Sequence, residues 1–230
     1  MKKAFILFLA VLPLSAQDFG YTASSPMEFR SIGIGFAAGT FEAEGSNPLP
    51  DSSRIRITTP MAMVEYREMN TRIAAGYQTY DLAGQERSAF AVSAVSGAEF
   101  ALTGGDVKNG VFIPVVISAQ FLAAERTHAG ARDFEVGGFG AGTGLKARLL
   151  SGAFGLQGSV VGAIHYASVG FGVEYGSMSS IAGEVQALFP GLLFDGITAG
   201  YRFDLQRWNL SDDILDYRRT AHGAFVGVFF

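Results

Sequence analysis

The chain has 230 residues, of which 49% are hydrophobic and only 17% charged, with a net charge of -4. An average soluble protein carries about 25% charged residues, so little polar surface is left here for a soluble particle. An acidic chain without an Arg/Lys-rich stripe excludes nucleic acid as a natural partner, since phosphate binding wants basic patches. Cysteine is absent, which removes thiolate ligands, cysteine nucleophiles and a lipoprotein cysteine together. Thirty glycines without an every-third-residue period exclude collagen.

Lys2 and Lys3 precede an apolar run from Ala4 to Leu12; Pro13-Leu14-Ser15-Ala16 follows, and the chain turns polar at Gln17. A charged start, a short apolar run and a small residue at the end make a secretory signal peptide. The run is too short for a transmembrane helix, which needs about twenty apolar residues. The expected organisation is a cleaved signal over 1–16, a periplasmic lead-in over 17–29 and a barrel over 30–230. The remaining chain has no apolar stretch of helical transmembrane length free of glycine and polar breaks. A membrane-spanning form therefore has to be a closed barrel.

From Arg30 onward the hydrophobic period is two. The first segment sets Ile32, Ile34, Phe36 and Ala38 against Ser31, Gly33, Gly35, Ala37 and Gly39. The second, Arg54 to Tyr66, sets Ile55, Ile57, Met61 and Met63 against Arg54, Arg56, Thr58 and Ala62. The third covers Arg72–Tyr80, the fourth Ser88–Leu102 and the fifth Val111–Ala123, whose two faces are both apolar in part. The sixth, Phe134–Leu149, opposes Phe139, Ala141, Leu145 and Leu149 to Gly138, Gly140, Gly142, Gly144, Lys146 and Arg148. The seventh spans Ala153–Tyr166, the eighth Ser177–Phe189, the ninth Leu193–Leu205 and the tenth Arg218–Phe230.

Ten is an even number, as single-chain bacterial barrels require, and most segments have the length to cross a bilayer. The predicted fold is all-β, a closed antiparallel transmembrane β-barrel of ten strands, with eight and twelve as alternative counts. The links Arg67–Thr71, Thr103–Gly110, Leu150–Gly152 and Pro190–Leu192 are short and read as periplasmic. The links Glu42–Ser53, Asp81–Arg87, Ala124–Asp133, Ala167–Gly176 and Gln206–Tyr217 are mostly longer and more charged, and read as outward. Pro60 and Pro114 fall inside strands, where each is expected to mark a bulge or a register defect.

The last segment, His222-Gly-Ala-Phe-Val-Gly-Val-Phe-Phe230, resembles the end of bacterial outer-membrane β-barrel proteins. Those chains finish in an amphipathic strand with a terminal phenylalanine that the outer-membrane assembly machinery reads. Phe230 matches that aromatic, and Val228, Val226 and Ala224 match the alternating positions before it; His222 departs from the apolar pattern. The general architecture resembles the small outer-membrane β-barrel superfamily over nearly all of the chain after the leader. This implies the outer membrane of a Gram-negative-type bacterium, with outer-membrane lipid, lipopolysaccharide and the barrel assembly machinery as partners. A soluble lipocalin-like barrel or sandwich is the competing fold; it requires a second layer over the apolar face, and no amphipathic helix is there to supply one.

Placing the more apolar face in lipid turns Arg72, Glu99, Lys146, Arg148, Glu184, Arg202 and Asp204 toward the lumen. Charges there either line a constriction or pair across the interior and fill it. Tyr66, Tyr77, Tyr166, Tyr201 and Tyr217 are candidates for interfacial rims. Trp208 lies just beyond the ninth segment, at the outer interface or in a loop contact. His165 points inward, and Ser168 near it falls on the opposite face. His128, His222 and the acidic group Asp212, Asp213 and Asp216 have no catalytic or metal-ligand spacing. No catalytic residue, metal or cofactor is expected.

The expected role is structural or surface-interacting, with the loop Asn47-Pro48-Leu49-Pro50-Asp51 and the Trp208–Asp216 segment as recognition elements. One alternative is a narrow passive channel or transporter for small or hydrophobic solutes; another is a rim-located lipid-modifying or proteolytic enzyme. A small solute or a surface ligand would be the further partner.

Overall fold

The computed structural model describes residues 30–43, 54–68, 70–82, 84–103, 109–126, 132–169, 174–210 and 216–230. The leader, the lead-in, the loop Asn47–Asp51, His128 and the Asp212–Asp213 pair lie outside the described residues. Within them run ten strands: β1 (Arg30–Ala43), β2 (Arg54–Glu68), β3 (Thr71–Leu82), β4 (Gln85–Ala101), β5 (Gly110–Arg126), β6 (Arg132–Leu150), β7 (Gly155–Val169), β8 (Glu174–Pro190), β9 (Gly196–Leu210) and β10 (Tyr217–Phe229). Each strand pairs antiparallel with its neighbours in sequence, and β1 closes on β10. That closing ladder runs unbroken from Ser31↔Phe229 to Ala43↔Tyr217. Closure leaves neither terminal strand a free edge, as a sheet in hydrocarbon requires, and between β2 and β3 the ladder covers Ala62↔Tyr77 to Glu68↔Thr71.

The two prolines behave differently. Between β1 and β2, Ala37 faces Met61 while Gly39 faces Ile57, so β2 carries extra residues there. Pro60 sits in that extra stretch, where its missing N–H costs no ladder bond. Around Pro114 the β5–β6 register is the same on both sides, from Phe112↔Lys146 to Val115↔Thr143. Pro114 therefore interrupts the ladder without shifting it. Its carbonyl accepts a hydrogen bond from Thr143 Oγ1 at 2.9 Å.

Two link boundaries differ from expectation. The outward link expected over Asp81–Arg87 is mostly strand: β3 reaches Leu82 and β4 restarts at Gln85. Gly84, at φ 75°, turns the chain, and its N–H donates to Asp81 Oδ1 at 2.9 Å. Leu193, expected to begin the ninth strand, instead lies in the β8–β9 turn at φ 62°, followed by Phe194 at 52°. The apolar run Leu192-Leu193-Phe194 reads as strand by composition alone, yet Gly191 N–H bonds Asp195 O at 3.0 Å and closes a turn.

Every strand sends large apolar side chains outward. Ile32, Ile34 and Phe36 on β1, Val64 on β2, Tyr77 on β3, Phe100 on β4 and Ile117 on β5 are all exposed. Leu145 on β6, Ile164 on β7, Val185 on β8, Tyr201 on β9 and Val226 on β10 complete the ring. An unbroken apolar belt of this kind has no stable place in water. In a bilayer it meets acyl chains, as the outer face of a transmembrane barrel does. The expected soluble alternative would need this belt covered.

Candidate functional site

Period two sends the other half of each strand inward, and there the barrel carries its charge. From β2 come Glu65 and Arg67, from β3 Arg72, from β8 Glu184 and from β9 Arg202. Arg67 donates from Nη1 and Nη2 to the two oxygens of Glu184, each at 2.6 Å, and from Nε to Glu65. Arg202 donates from Nε to Glu184 at 2.9 Å and from Nη2 to Glu65 at 2.7 Å. Arg202 and Glu184 are partners across the β8–β9 ladder, but β1 and β10 stand between β2 and β9, so Arg67–Glu184 and Arg202–Glu65 are chords across the lumen. Phe225 of β10 supports them: the Arg67 and Arg202 guanidinium carbons lie 4.8 and 5.1 Å from its ring centre. Arginines over an aromatic face in a desolvated place gain about 2 kcal/mol or more.

A second charged group lies toward the end with the short turns. Glu99 of β4 accepts from Lys146 Nζ and, at 2.6 Å, from Arg148 Nη2, both reaching across β5 from β6. Arg148 in turn lies over the Phe112 ring, 5.0 Å from its centre. An amide chain continues around the wall, with Gln157 donating to Gln186 and Gln186 to Thr198.

Toward the loop end the interior becomes apolar. Val136, Ala167, Met178, Trp208 and Leu210 form a buried cluster against which Leu122 and Tyr217 pack. Trp208 Nε1 donates to Gln206 Oε1 at 3.2 Å, so the indole is buried with its polar atom partnered. The tip of the ring reaches over Gly138 of β6. Next along the same lane, Ser118 Oγ and His165 Nε2 lie 2.6 Å apart. They come from β5 and β7 and meet above Gly140, which pairs with both of them. A Cβ on Gly140 would stand 2.0 Å from the Ile164 carbonyl oxygen and 2.5 Å from His165 Cα. Only glycine lets the backbones approach this closely.

A cavity of about 310 Å³ runs alongside both charged groups and reaches Trp208. Arg72, Lys146, Glu184, Arg202, Asp204 and His165 are among the residues lining it. Asp204 faces Arg219 at 3.5 Å and accepts from Gln206.

The structure places Arg72, Glu99, Lys146, Glu184, Arg202 and Asp204 on the cavity wall, and Arg148 against Glu99 beside it. Three sequence expectations are corrected. Met61 and Met63 face the cavity, while Ala62 and Val64 are exposed; both faces of that segment are apolar, so alternation alone does not choose between them. The deciding signal is Glu65 and Arg67, on the same face as the two methionines but at or beyond the end of the strand as read. Trp208 lies within β9 and is buried, not placed at an outer interface, because the strand runs to Leu210. Tyr217 packs on the interior cluster instead of marking a rim.

Glu65, Arg67, Phe225 and the pair Gln120–Gln206 were not singled out by sequence. Phe225 is a phenylalanine on the polar face of the last strand, a signal visible only once the glycines around it are known to face inward. Ser168 is not the partner of His165; Ser118 is. Asp216 caps β9, accepting from the Leu210 N–H at 3.1 Å, and His222 is exposed, 6.2 Å from the Tyr201 ring centre. Among the described residues no group of three or more His, Asp or Glu side chains is disposed to hold a metal ion.

A closed barrel, an apolar belt on all ten strands and a charged interior make this chain an outer-membrane β-barrel. No protein-family model matches it, and no curated protein matches it. Solved structures similar to it include the outer membrane protease OmpT from Escherichia coli, at 9% identity and a TM-score of 0.39, covering 93% of this chain and 99% of that one. The attachment invasion locus protein Ail of Yersinia pestis is 14% identical with a TM-score of 0.31, covering 89% of this chain and 100% of that one. The toluene transporter TodX of P. putida is 8% identical with a TM-score of 0.30, covering 89% and 90% of the two chains.

Proposed function

We propose that this outer-membrane barrel acts through the surfaces it presents to the membrane and the exterior, in a structural or surface-interaction role, and not by conduction. The observation that supports this reading is the pair of chords Arg67–Glu184 and Arg202–Glu65, which span the lumen. The apolar cluster of Trp208, Met178 and Leu210 packs together toward the loops. An ion pair stretched across a narrow barrel takes the place of part of a water column, and the apolar cluster narrows the lumen further. Lipid and lipopolysaccharide are then the partners of the belt and rim, and a surface ligand the partner of the outer loops.

The test is a planar-bilayer recording of the refolded chain. Electrically silent insertion, with folding checked by heat-modifiable gel mobility, is the expected result. Reproducible conductance steps would overturn it. The 310 Å³ cavity supports the second reading, a narrow passage for a small solute. On that reading, neutralising Lys146 or Arg202 changes the ion selectivity of steps already present in the unaltered protein.

A further inference from the structure

In the central network two of the three arginines engage both carboxylates. Glu184 Oε1 takes Arg67 Nη1, and Oε2 takes Arg67 Nη2 at 2.6 Å and Arg202 Nε at 2.9 Å. Glu65 Oε1 takes Arg67 Nε, and Oε2 takes Arg202 Nη2 at 2.7 Å. A carboxylate offers about four lone-pair sites, and both of these serve Arg67 and Arg202. Arg72 is left with one approach, Nη1 to Glu184 Oε2 at 3.5 Å, to an oxygen already held by closer donors. Among the described residues its buried Nε has no hydrogen-bond partner. Arg72 also stands directly across the β2–β3 ladder from Arg67, and like charges so placed destabilise a sheet.

Three guanidiniums thus converge on two carboxylates, and nearby Lys146 and Arg148 both reach Glu99. The central group carries surplus positive charge among the described residues, and Arg72 and Lys146 both open on the same cavity. We propose that this cavity binds a small oxyanion, a carboxylate or a phosphate, anchored on Arg72. A guanidinium presents its N–H groups as a planar fork that fits two oxygens of such a group, and charge-assisted bonds of that kind are the strong ones. A neutral or cationic solute gains nothing from the surplus. Val95, Val116, Val161 and Ala182 on the same wall suit a short hydrocarbon tail, which a carboxylate can carry and inorganic phosphate lacks. The site goes beyond the surface role and does not rest on it, since a closed barrel can hold an anion.

The experiment follows the thermal midpoint of the refolded barrel during titration with sodium phosphate, sodium butyrate or sodium chloride at matched ionic strength. A ligand that binds the folded state alone raises the midpoint with its concentration. The expected result is a saturable rise with phosphate or butyrate that exceeds any rise with chloride. Arg72→Gln should fold and weaken that response at least tenfold in apparent Kd. Arg72→Lys, which keeps the charge but loses the fork, should fall between, and the surface control Arg30→Gln should match the unaltered chain. Stronger binding of butyrate assigns a carboxylate with an apolar tail; stronger binding of phosphate assigns a phosphate. No saturable rise, an equal rise with chloride, or an unchanged response in folded Arg72→Gln would each overturn the site. None of these outcomes bears on conductance, so the closed-barrel reading stands or falls by its own recording.

Discussion

Two layers of one interior are built on opposite principles. In the middle, Arg67, Arg202, Glu65 and Glu184 span the lumen with charge-assisted bonds. Toward the loops, Trp208, Met178, Leu210 and Val136 pack apolar volume against one another. The apolar layer depends on area and close packing, which tolerate a partial loss. The charged layer depends on every member being present, because a buried ion left alone is worse than no ion. Similar positions on the strands therefore have different sensitivities to mutation.

The sharpest way to break the contrast is Glu184→Ala, which strips the partner of Arg67, Arg202 and Arg72 together. A loss of about 3–5 kcal/mol is expected, as for any buried pair broken on one side, read from urea unfolding of the refolded barrel in micelles. A loss below about 1 kcal/mol would mean that lumen water already solvates those arginines. Next comes Trp208→Ala, expected to cost about 3 kcal/mol or somewhat more by cavity formation. A cost near that of Glu184→Ala, together with new conductance steps, would make the apolar cluster and not the chords the seal.

Gly140→Ala sharpens the comparison on the third scale. The added methyl pushes against the β7 backbone where Ser118 and His165 meet, and overpacking costs about 1–3 kcal/mol. Phe225→Leu keeps apolar volume but removes the face beneath the two arginines, for an expected loss of about 1 kcal/mol. At the small end, Arg30→Ala removes an exposed ion pair with Glu68 at 2.9 Å, and no measurable change is expected in the same unfolding assay. A clear loss there would show that the barrel's rim is ordered by charge as its middle is.

Much of this was legible before any coordinates. The outward set of Ile32, Ile34, Phe36, Leu145 and Ile164 follows from alternation alone, because neighbouring side chains on a strand point to opposite faces. The inward charges of β6, β8 and β9 were equally plain, each being polar against a clean apolar face. Legibility failed where both faces were apolar, as at Met61 and Met63, and where strand ends were misjudged, as at Arg67 and Trp208. An error of one or two residues at an end decides whether such a side chain is read as lumen or loop.

By itself the sequence determined the alternating segments, the membrane-facing side wherever only one face is apolar, and the charged character of what turns inward, all properties of segments of about fifteen residues. Closure of the barrel decided which charges meet across the lumen. Arg67 finds Glu184 and Arg202 finds Glu65 across 117 and 137 residues of chain, a pairing set by register and shear around ten strands. That same closure leaves Arg72 the odd member of its cluster. No local pattern carries that information, because it depends on the positions of side chains from four strands at once.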